Sequence, residues 1–278
     1  MRLPKRFEIV RPWISAKLRG QKTEVSAPEF IKYLTRPNKR QRGGRFVRAL
    51  ERDGDFWRIY FHDIRDPLYW PAHFDLDWVY DFIDEQFDPQ NWHQYEIEGT
   101  RVEPNDVVFD CGASEGLFSL RVASRCRKVI AFEPLPDFQA ALVRTFANAS
   151  NVEILPFAVG RDRGTVRFHP AAGGSVKSTE GGLMVQQRNL DQVVLDKAER
   201  IDFLKADIEG AEMEMLEGAR ETLIRDRPKI AITTYHRKGD SKLFAEFLQL
   251  LDVGYKTKTK GTNGCGEPVM LHAWVDSR

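Results

Sequence analysis

From position 106 onward, apolar residues arrive in short blocks separated by stretches with a different period. Val107-Val108-Phe109 and the blocks within 128–134, 151–157, 201–207 and 229–235 are of strand length, the pattern of strands covered on both faces. Between them the spacing lengthens. After Pro136, residues Phe138, Ala141, Leu142, Thr145 and Phe146 recur at i, i+3, i+4, i+7 and i+8, the buried stripe of a helix. Leu117 to Arg125 reads as a helix and Ala211 to Ile224 as another, ended by Pro228; Asp240 caps one whose Leu243, Phe244, Phe247, Leu250 and Leu251 share a face. Strand and helix alternating in this way predict βαβ units and a parallel sheet. The blocks 254–259 and 269–275 read as an antiparallel pair that closes the sheet. The blocks 164–169 and 183–188 read as hairpin strands flanking Ala171-Ala172-Gly173-Gly174-Ser175, a candidate lid.

The first 98 residues follow no such alternation and read as an α+β appendage to a main domain spanning 99–278. Phe7, Ile9, Val10, Trp13, Ile14 and Leu18 alternate with basic residues, an amphipathic helix in which Pro12 must sit near the start or make a kink. Phe30 to Leu34 suggests a second short helix, and Pro37 to Gly44 a polar, basic loop. Phe56 to Phe61 reads as a strand, and Asp77 to Phe87 as an acidic, aromatic helix stopped before Pro89.

Charge sharpens the picture of the appendage. Residues 1–50 hold fourteen Lys or Arg against three Glu, and residues 51–100 hold three Arg against thirteen Asp or Glu, although the whole chain nets only +1. Either the two segments pack face to face, or the basic one offers a surface to an anionic partner such as a lipid headgroup, an acidic glycan or RNA. Composition is that of a globular protein, at 42% hydrophobic and 30% charged over 278 residues. Cys111, Cys126 and Cys265 are odd in number and lack a C-x-x-C pair, which argues against a disulfide framework or a cysteine zinc site. No apolar run approaches the roughly 18 residues of a membrane span. A cytoplasmic protein is expected.

The chemistry gathers at the ends of the strand blocks. Asp110-Cys111-Gly112-Ala113-Ser114-Glu115-Gly116 ends the first strand in a carboxylate and turns through two glycines into a helix, the strand, tight turn and helix of a nucleotide-type site. The spacing is Asp-x-Gly-x-x-x-Gly, without the dinucleotide or Walker pattern. A carboxylate there repels phosphate but suits the ammonium of an amino-acid moiety, which points to S-adenosylmethionine. Glu133 stands 21 residues beyond Gly112, close to the offset at which an acid receives ribose hydroxyls. Adenine is then expected near Phe157, Ala158 and Val159. Asp207, Glu209 and His236 end later strands and are the candidates for a general base, with His236 first because its ordinary pKa lies near neutrality. Two carboxylates and an imidazole can also chelate a divalent cation, but Gly210 suggests that the strand stops before Glu209, and no metal is expected. Lys205 reads as an internal ion-pair partner.

The chain resembles the FkbM family of S-adenosylmethionine-dependent methyltransferases over roughly residues 100–275. The likeness rests on Val107 to Gly116, Ala131-Phe132-Glu133-Pro134, Leu190-Asp191, Ile201 to Glu212, Gly218-Ala219 and Tyr235-His236. It implies a class I methyltransferase (Rossmann-like) fold, a doubly wound seven-stranded sheet with the last strand antiparallel, and methyl transfer to an oxygen of a sugar, polyketide or other small acceptor. The cofactor site is then expected at Asp110, Gly112, Ala113, Ser114, Gly116, Glu133, Pro134, Ala158, Val159 and Asp207. Two rivals remain: an RNA methyltransferase that clamps its substrate with the basic segment, for which no RNA-binding signature is present, and a non-enzymatic interaction protein on the same scaffold.

Overall fold

The computed structural model describes residues 9–19, 25–171, 174–177 and 182–276. Helices α1 (Val10–Leu18), α2 (Ala27–Leu34) and α3 (Lys39–Gly44) lead into an antiparallel sheet of β1 (Val47–Asp53), β2 (Phe56–Phe61) and β3 (Leu68–Pro71), followed by α4 (Leu76–Phe87). The chain then alternates through β4 (Val107–Cys111), α5 (Leu117–Ala123), β5 (Lys128–Phe132), α6 (Pro136–Thr145) and β6 (Val152–Leu155). A small sheet of β7 (Ala158–Val159), β8 (Gly164–Ala171), β9 (Gly174–Lys177) and β10 (Leu183–Arg188) follows. Alternation resumes with α7 (Leu190–Lys197), β11 (Phe203–Ala206), α8 (Glu212–Glu217), α9 (Arg220–Asp226), β12 (Lys229–Thr233) and α10 (Asp240–Leu250), and ends in β13 (Lys256–Lys260) and β14 (Met270–Trp274).

The large sheet has the order β13-β14-β12-β11-β4-β5-β6. Strands β6, β5, β4, β11 and β12 run parallel, and β14 is antiparallel to both of its neighbours, β12 and β13. This is the doubly wound, seven-stranded arrangement expected, with the last strand of the chain inserted antiparallel beside the edge strand. Its strand interiors are apolar on both faces: Val107, Phe109, Ile130, Leu204, Ile230 and Leu271 pack with Leu190, Met215, Leu223 and Phe244. Val108, Val129, Phe203 and Ala231 pack with Phe118 and Val122 of α5.

Some local readings give way to packing. The stretch 211–224 is two helices rather than one, broken at Gly218-Ala219, where a Cβ on Gly218 would collide with the carbonyl of Gly160. The expected loop from Pro37 to Gly44 contains α3, capped by the Asn38 side chain, which accepts from Gln41 N at 3.0 Å. Strands β1 and β3 lack clear alternation and are set by pairing with β2. Of the candidate lid, Ala171 and Gly174 pair as partners in β8 and β9, while Ala172 and Gly173 lie outside the described residues, as do residues 1–8 of the expected first helix.

Part of the charge asymmetry resolves internally. Lys39 pairs with Asp81 at 2.6 Å, Arg40 with Asp77, Arg42 with Asp84 at 2.9 Å and Arg45 with Asp88 at 3.2 Å. The basic segment around α3 therefore lies against the acidic helix α4, and these four cations are already paired within the chain. The more exposed of these pairs, Lys39–Asp81 and Arg40–Asp77, are worth about 0–1 kcal/mol each. Burial holds the appendage more firmly: Ile59, Phe61, Leu68, Trp70 and Ile83 join Leu117, Leu142 and Phe138 in one core, and each such side chain contributes roughly 1.5–3 kcal/mol. No helix among the described residues is long and apolar enough to cross a membrane.

Arg42→Ala is expected to destabilise the fold by roughly 2–4 kcal/mol, because it strands the buried Asp84 carboxylate. Urea unfolding checks this, and a loss below about 0.5 kcal/mol would show that Asn91, which also donates to Asp84 at 2.9 Å, suffices alone.

Candidate active site

A cavity of about 400 Å³ opens beyond the carboxyl ends of β4, β5, β11 and β12, a volume within the range of small-ligand sites. The turn after β4 forms one wall. Gly112 N and Ala113 N both donate to Phe132 O at 3.0 Å, which pins the turn to β5. Gly112 has φ +77 and Gly116 φ +90, conformations that glycine adopts without strain. Neither missing Cβ leaves room for a ligand: at Gly112 it would strike the carbonyl of Asp207, and at Gly116 the side chains of Leu142 and Phe146. Gly112, Ala113 and Ser114 line the cavity, whereas Gly116 caps α5 and packs against α6.

Asp110, expected to meet an ammonium, does not line the cavity. Its carboxylate is fully buried, accepts from Ser119 Oγ at 2.7 Å, and pairs with Lys205 Nζ at 2.9 Å. Register explains the pair, since Lys205 and Asp110 are direct partners across β11 and β4. Lys205 also donates to Gly112 O at 2.6 Å. The acid that does reach the cavity from this turn is Glu115, only 4% exposed. Burial pushes its carboxyl up to about 7, although backbone hydrogen bonding and Lys205 pull the other way.

Glu133 lies at the end of β5, where Ser114 N and Leu135 N each donate to its carboxylate at 2.8 Å. Burial raises it to about 7 against those two bonds. Pro134, Ala158 and Val159 line the same side, with Phe157.

The other half of the cavity is built around His236. Strand β11 ends at Ala206, and Asp207 N donates to Cys111 O at 3.1 Å. The chain then turns through Glu209 and Gly210, both with positive φ (56° and 95°). The strand does stop before Glu209, as Gly210 suggested, yet the turn returns Glu209 Oε2 to 3.3 Å from His236 Nε2. Asp207 Oδ1 stands 3.6 Å from the same nitrogen. Glu212, at the start of α8 and fully buried, accepts from His236 Nδ1 at 2.8 Å. Burial lowers the His236 pKa, but the Glu212 hydrogen bond and the charges of Asp207, Glu212 and Glu209 outweigh it and raise it to about 9. The donor atoms of Asp207, Glu212 and His236 lie within 4.8 Å of one another, close enough to hold a divalent cation.

Residues 1–98 supply the remaining groups, none of which the periodicity marked. Tyr95 Oη donates to Asp207 Oδ2 at 2.8 Å. His93 Nε2 lies 3.7 Å from Asp207 Oδ2 and 3.3 Å from Tyr235 Oη, and burial drives its pKa down to about 4. Burial would raise the Asp207 pKa, but His93, His236, Lys205 and Tyr95 hold it below the usual range. Helix α4 closes the cavity with Trp78, Phe82, Glu85 and Gln86. Glu212 and Glu115 were visible in the motifs as acids; nothing local distinguished them from solvent-facing ones.

Comparison with known proteins agrees with this geometry. Residues 110–257 match the family model described as the methyltransferase FkbM domain. The chain is 32% identical over 127 residues to the hexuronic acid methyltransferase AglP of Haloferax volcanii, covering 44% of this chain and 53% of that one. It is 25% identical over 150 residues to the 2-O-methyltransferase NoeI of Sinorhizobium fredii, covering 45% and 62%. The crystal structure of a methyltransferase FkbM from Methylobacillus flagellatus KT superimposes with a TM-score of 0.52 at 20% identity, over 72% of this chain and 53% of that one. The chain thus spans between about half and three fifths of the length of these relatives.

Because Glu115 titrates near 7 in the fold against 4.5 in an ordinary environment, its contribution to stability is fully present below the lower value and is lost as pH rises to the upper one. Glu115→Gln is therefore expected to raise the melting temperature above about pH 8 and to leave it unchanged below about pH 4.5. Equal melting shifts at both ends would place the carboxylate in water.

Proposed function

This chain belongs to the FkbM methyltransferase family, and from that premise we propose that it transfers the methyl group of S-adenosylmethionine to a hydroxyl oxygen of a sugar, glycan or other small molecule. One observation carries the reading: a single cavity joins the buried acid Glu133, at the end of β5, to the His236–Glu212 pair beyond β12 and β11. The residues fit that cofactor. Glu133 accepts the ribose hydroxyls, the main chain of Ala113 and Ser114 lies beside it, and Pro134, Ala158 and Val159 form the apolar slot for adenine. The ammonium falls to Glu115 and Asp207, which face the cavity, and not to Asp110, whose charge Lys205 already balances. The name of AglP, a hexuronic acid methyltransferase, supports a sugar acceptor, and that of NoeI, a 2-O-methyltransferase, supports transfer to oxygen.

The bound sulfonium supplies an electrophilic methyl. The protein then has two tasks, to align the acceptor oxygen and to take its proton. Alignment in a dry pocket is worth about 7–11 kcal/mol. Proton removal adds about 10²- to 10⁴-fold, so positioning is the larger share. His236 Nε2 is the base. Glu212 fixes the ring through Nδ1 and favours the protonated ring that results. Asp207 and Glu209 flank Nε2 and keep it oriented toward the cavity.

Titration calorimetry with S-adenosylmethionine is the direct test. Glu133→Ala is expected to weaken binding at least about tenfold, the loss of a hydrogen bond to a charged group; no heat with the parent protein would refute the reading, and unchanged affinity in the variant would remove Glu133 from the ribose role.

In turnover with a hydroxylated acceptor, kcat/KM is expected to rise with pH as His236 loses its proton, with a midpoint near 9 set by its raised pKa. Glu212→Gln should move that limb to lower pH and reduce kcat while leaving cofactor affinity intact. A pH profile identical to that of the parent would show that another group takes the proton.

A further inference from the structure

Helix α4 lies between α3 and the cavity, and its acids differ in their partners. Asp77, Asp81, Asp84 and the capping Asp88 each face a lysine or arginine. Glu85 does not: among the described residues its nearest basic nitrogen is His93 Nδ1 at 3.6 Å, in an imidazole that burial keeps neutral. Glu85 lines the cavity, and burial together with Asp207, Asp81, Asp84 and Glu115 holds its carboxyl well above the usual range. The neighbouring Gln86, 7% exposed and also lining the cavity, has an amide oxygen with no donor. Trp78 and Phe82, two turns and one turn of the helix before this pair, present aromatic rings to the same space.

Among the described residues, no arginine and no lysine other than Lys205 lines the cavity. Lys205 is committed to Asp110 and Gly112 O. An anionic acceptor would therefore meet carboxylates on every side without the forked donor that normally receives it. A wall of unpaired oxygens flanked by aromatic faces is suited to a cation that also donates hydrogen bonds. We propose that the acceptor carries a protonated amine beside the hydroxyl that is methylated, as in an amino sugar with a free amino group, and that Glu85, with Gln86 and the Trp78 and Phe82 rings, selects it. The inference rests on the methyl-transfer reading of the cavity.

The test uses the full chain saturated with S-adenosylhomocysteine at neutral pH and three matched probes: the methyl glycosides of glucosamine, glucose and glucuronic acid. Saturation-transfer NMR and competition between probes are expected to rank the amine at least about tenfold above the other two, one good charge-assisted contact. Glu85→Gln should abolish the preference while S-adenosylhomocysteine still binds, and Asp77→Asn, on the same helix but outside the cavity and balanced by Arg40, should retain it. Equal or better binding of the neutral or anionic glycoside, no binding of the amine glycoside to the loaded protein, or a preference that survives Glu85→Gln overturns the proposal and leaves methyl transfer standing. Failure of S-adenosylhomocysteine to bind removes the methyl-transfer reading itself, and this inference with it.

Discussion

The pair of Lys205 and Asp110 sits in the middle of the large sheet, and most of what is chemical in this protein depends on it. Two charges taken out of water at the junction of β4 and β11 are tolerable only when each is fully satisfied, since the desolvation cost rivals the attraction between them. Ser119 hydrogen-bonds one oxygen of Asp110 while Lys205 faces the other, and the carbonyl of Gly112 accepts a bond from Lys205. That bond ties the turn after β4 to the strand whose end carries Asp207. The pair therefore acts as a clamp between two walls of the cavity, and its charges are neutralised before any ligand arrives. Acids that remain uncompensated, Glu115 and Glu133, are the ones whose carboxyl groups are pushed up to about 7.

A second constraint is the turn between β11 and α8. Glu209 adopts a left-handed backbone conformation that a side chain disfavours. The return it produces brings three carboxylates, from Asp207, Glu209 and Glu212, around one imidazole. A histidine so surrounded is held charged and oriented, with the buried Glu212 on one nitrogen and the cavity on the other side. The local distortion and the chemistry thus share a cause.

The appendage completes the site. Its core is continuous with that of the sheet through Trp70, Phe138 and Leu142, and that shared burial outweighs the ion pairs between α3 and α4 in holding it there. Docked in this way, α4 becomes a wall of the cavity, while His93 and Tyr95 reach Asp207. That wall thereby comes from a part of the chain outside the span matched by the family.

How much could be read in the sequence differs from residue to residue. The strand blocks at 107–109 and 229–235, the helical stripe of Phe138 to Phe146 and the 21-residue step from Gly112 to Glu133 are local patterns, and local periodicity is what the hydrophobic effect writes into a chain. They determined the fold class, the strand-end location of the chemistry and the acid at the end of β5. Tertiary structure alone decided that Asp110 is spent on Lys205, that Glu115 and Glu212 are buried where an identical letter elsewhere is solvated, and that Glu85, unlike its neighbours on α4, meets the cavity with no lysine or arginine beside it among the described residues. Those outcomes depend on which groups separated by about a hundred residues come within hydrogen-bonding reach and lose their water, and no single stretch of sequence carries that information.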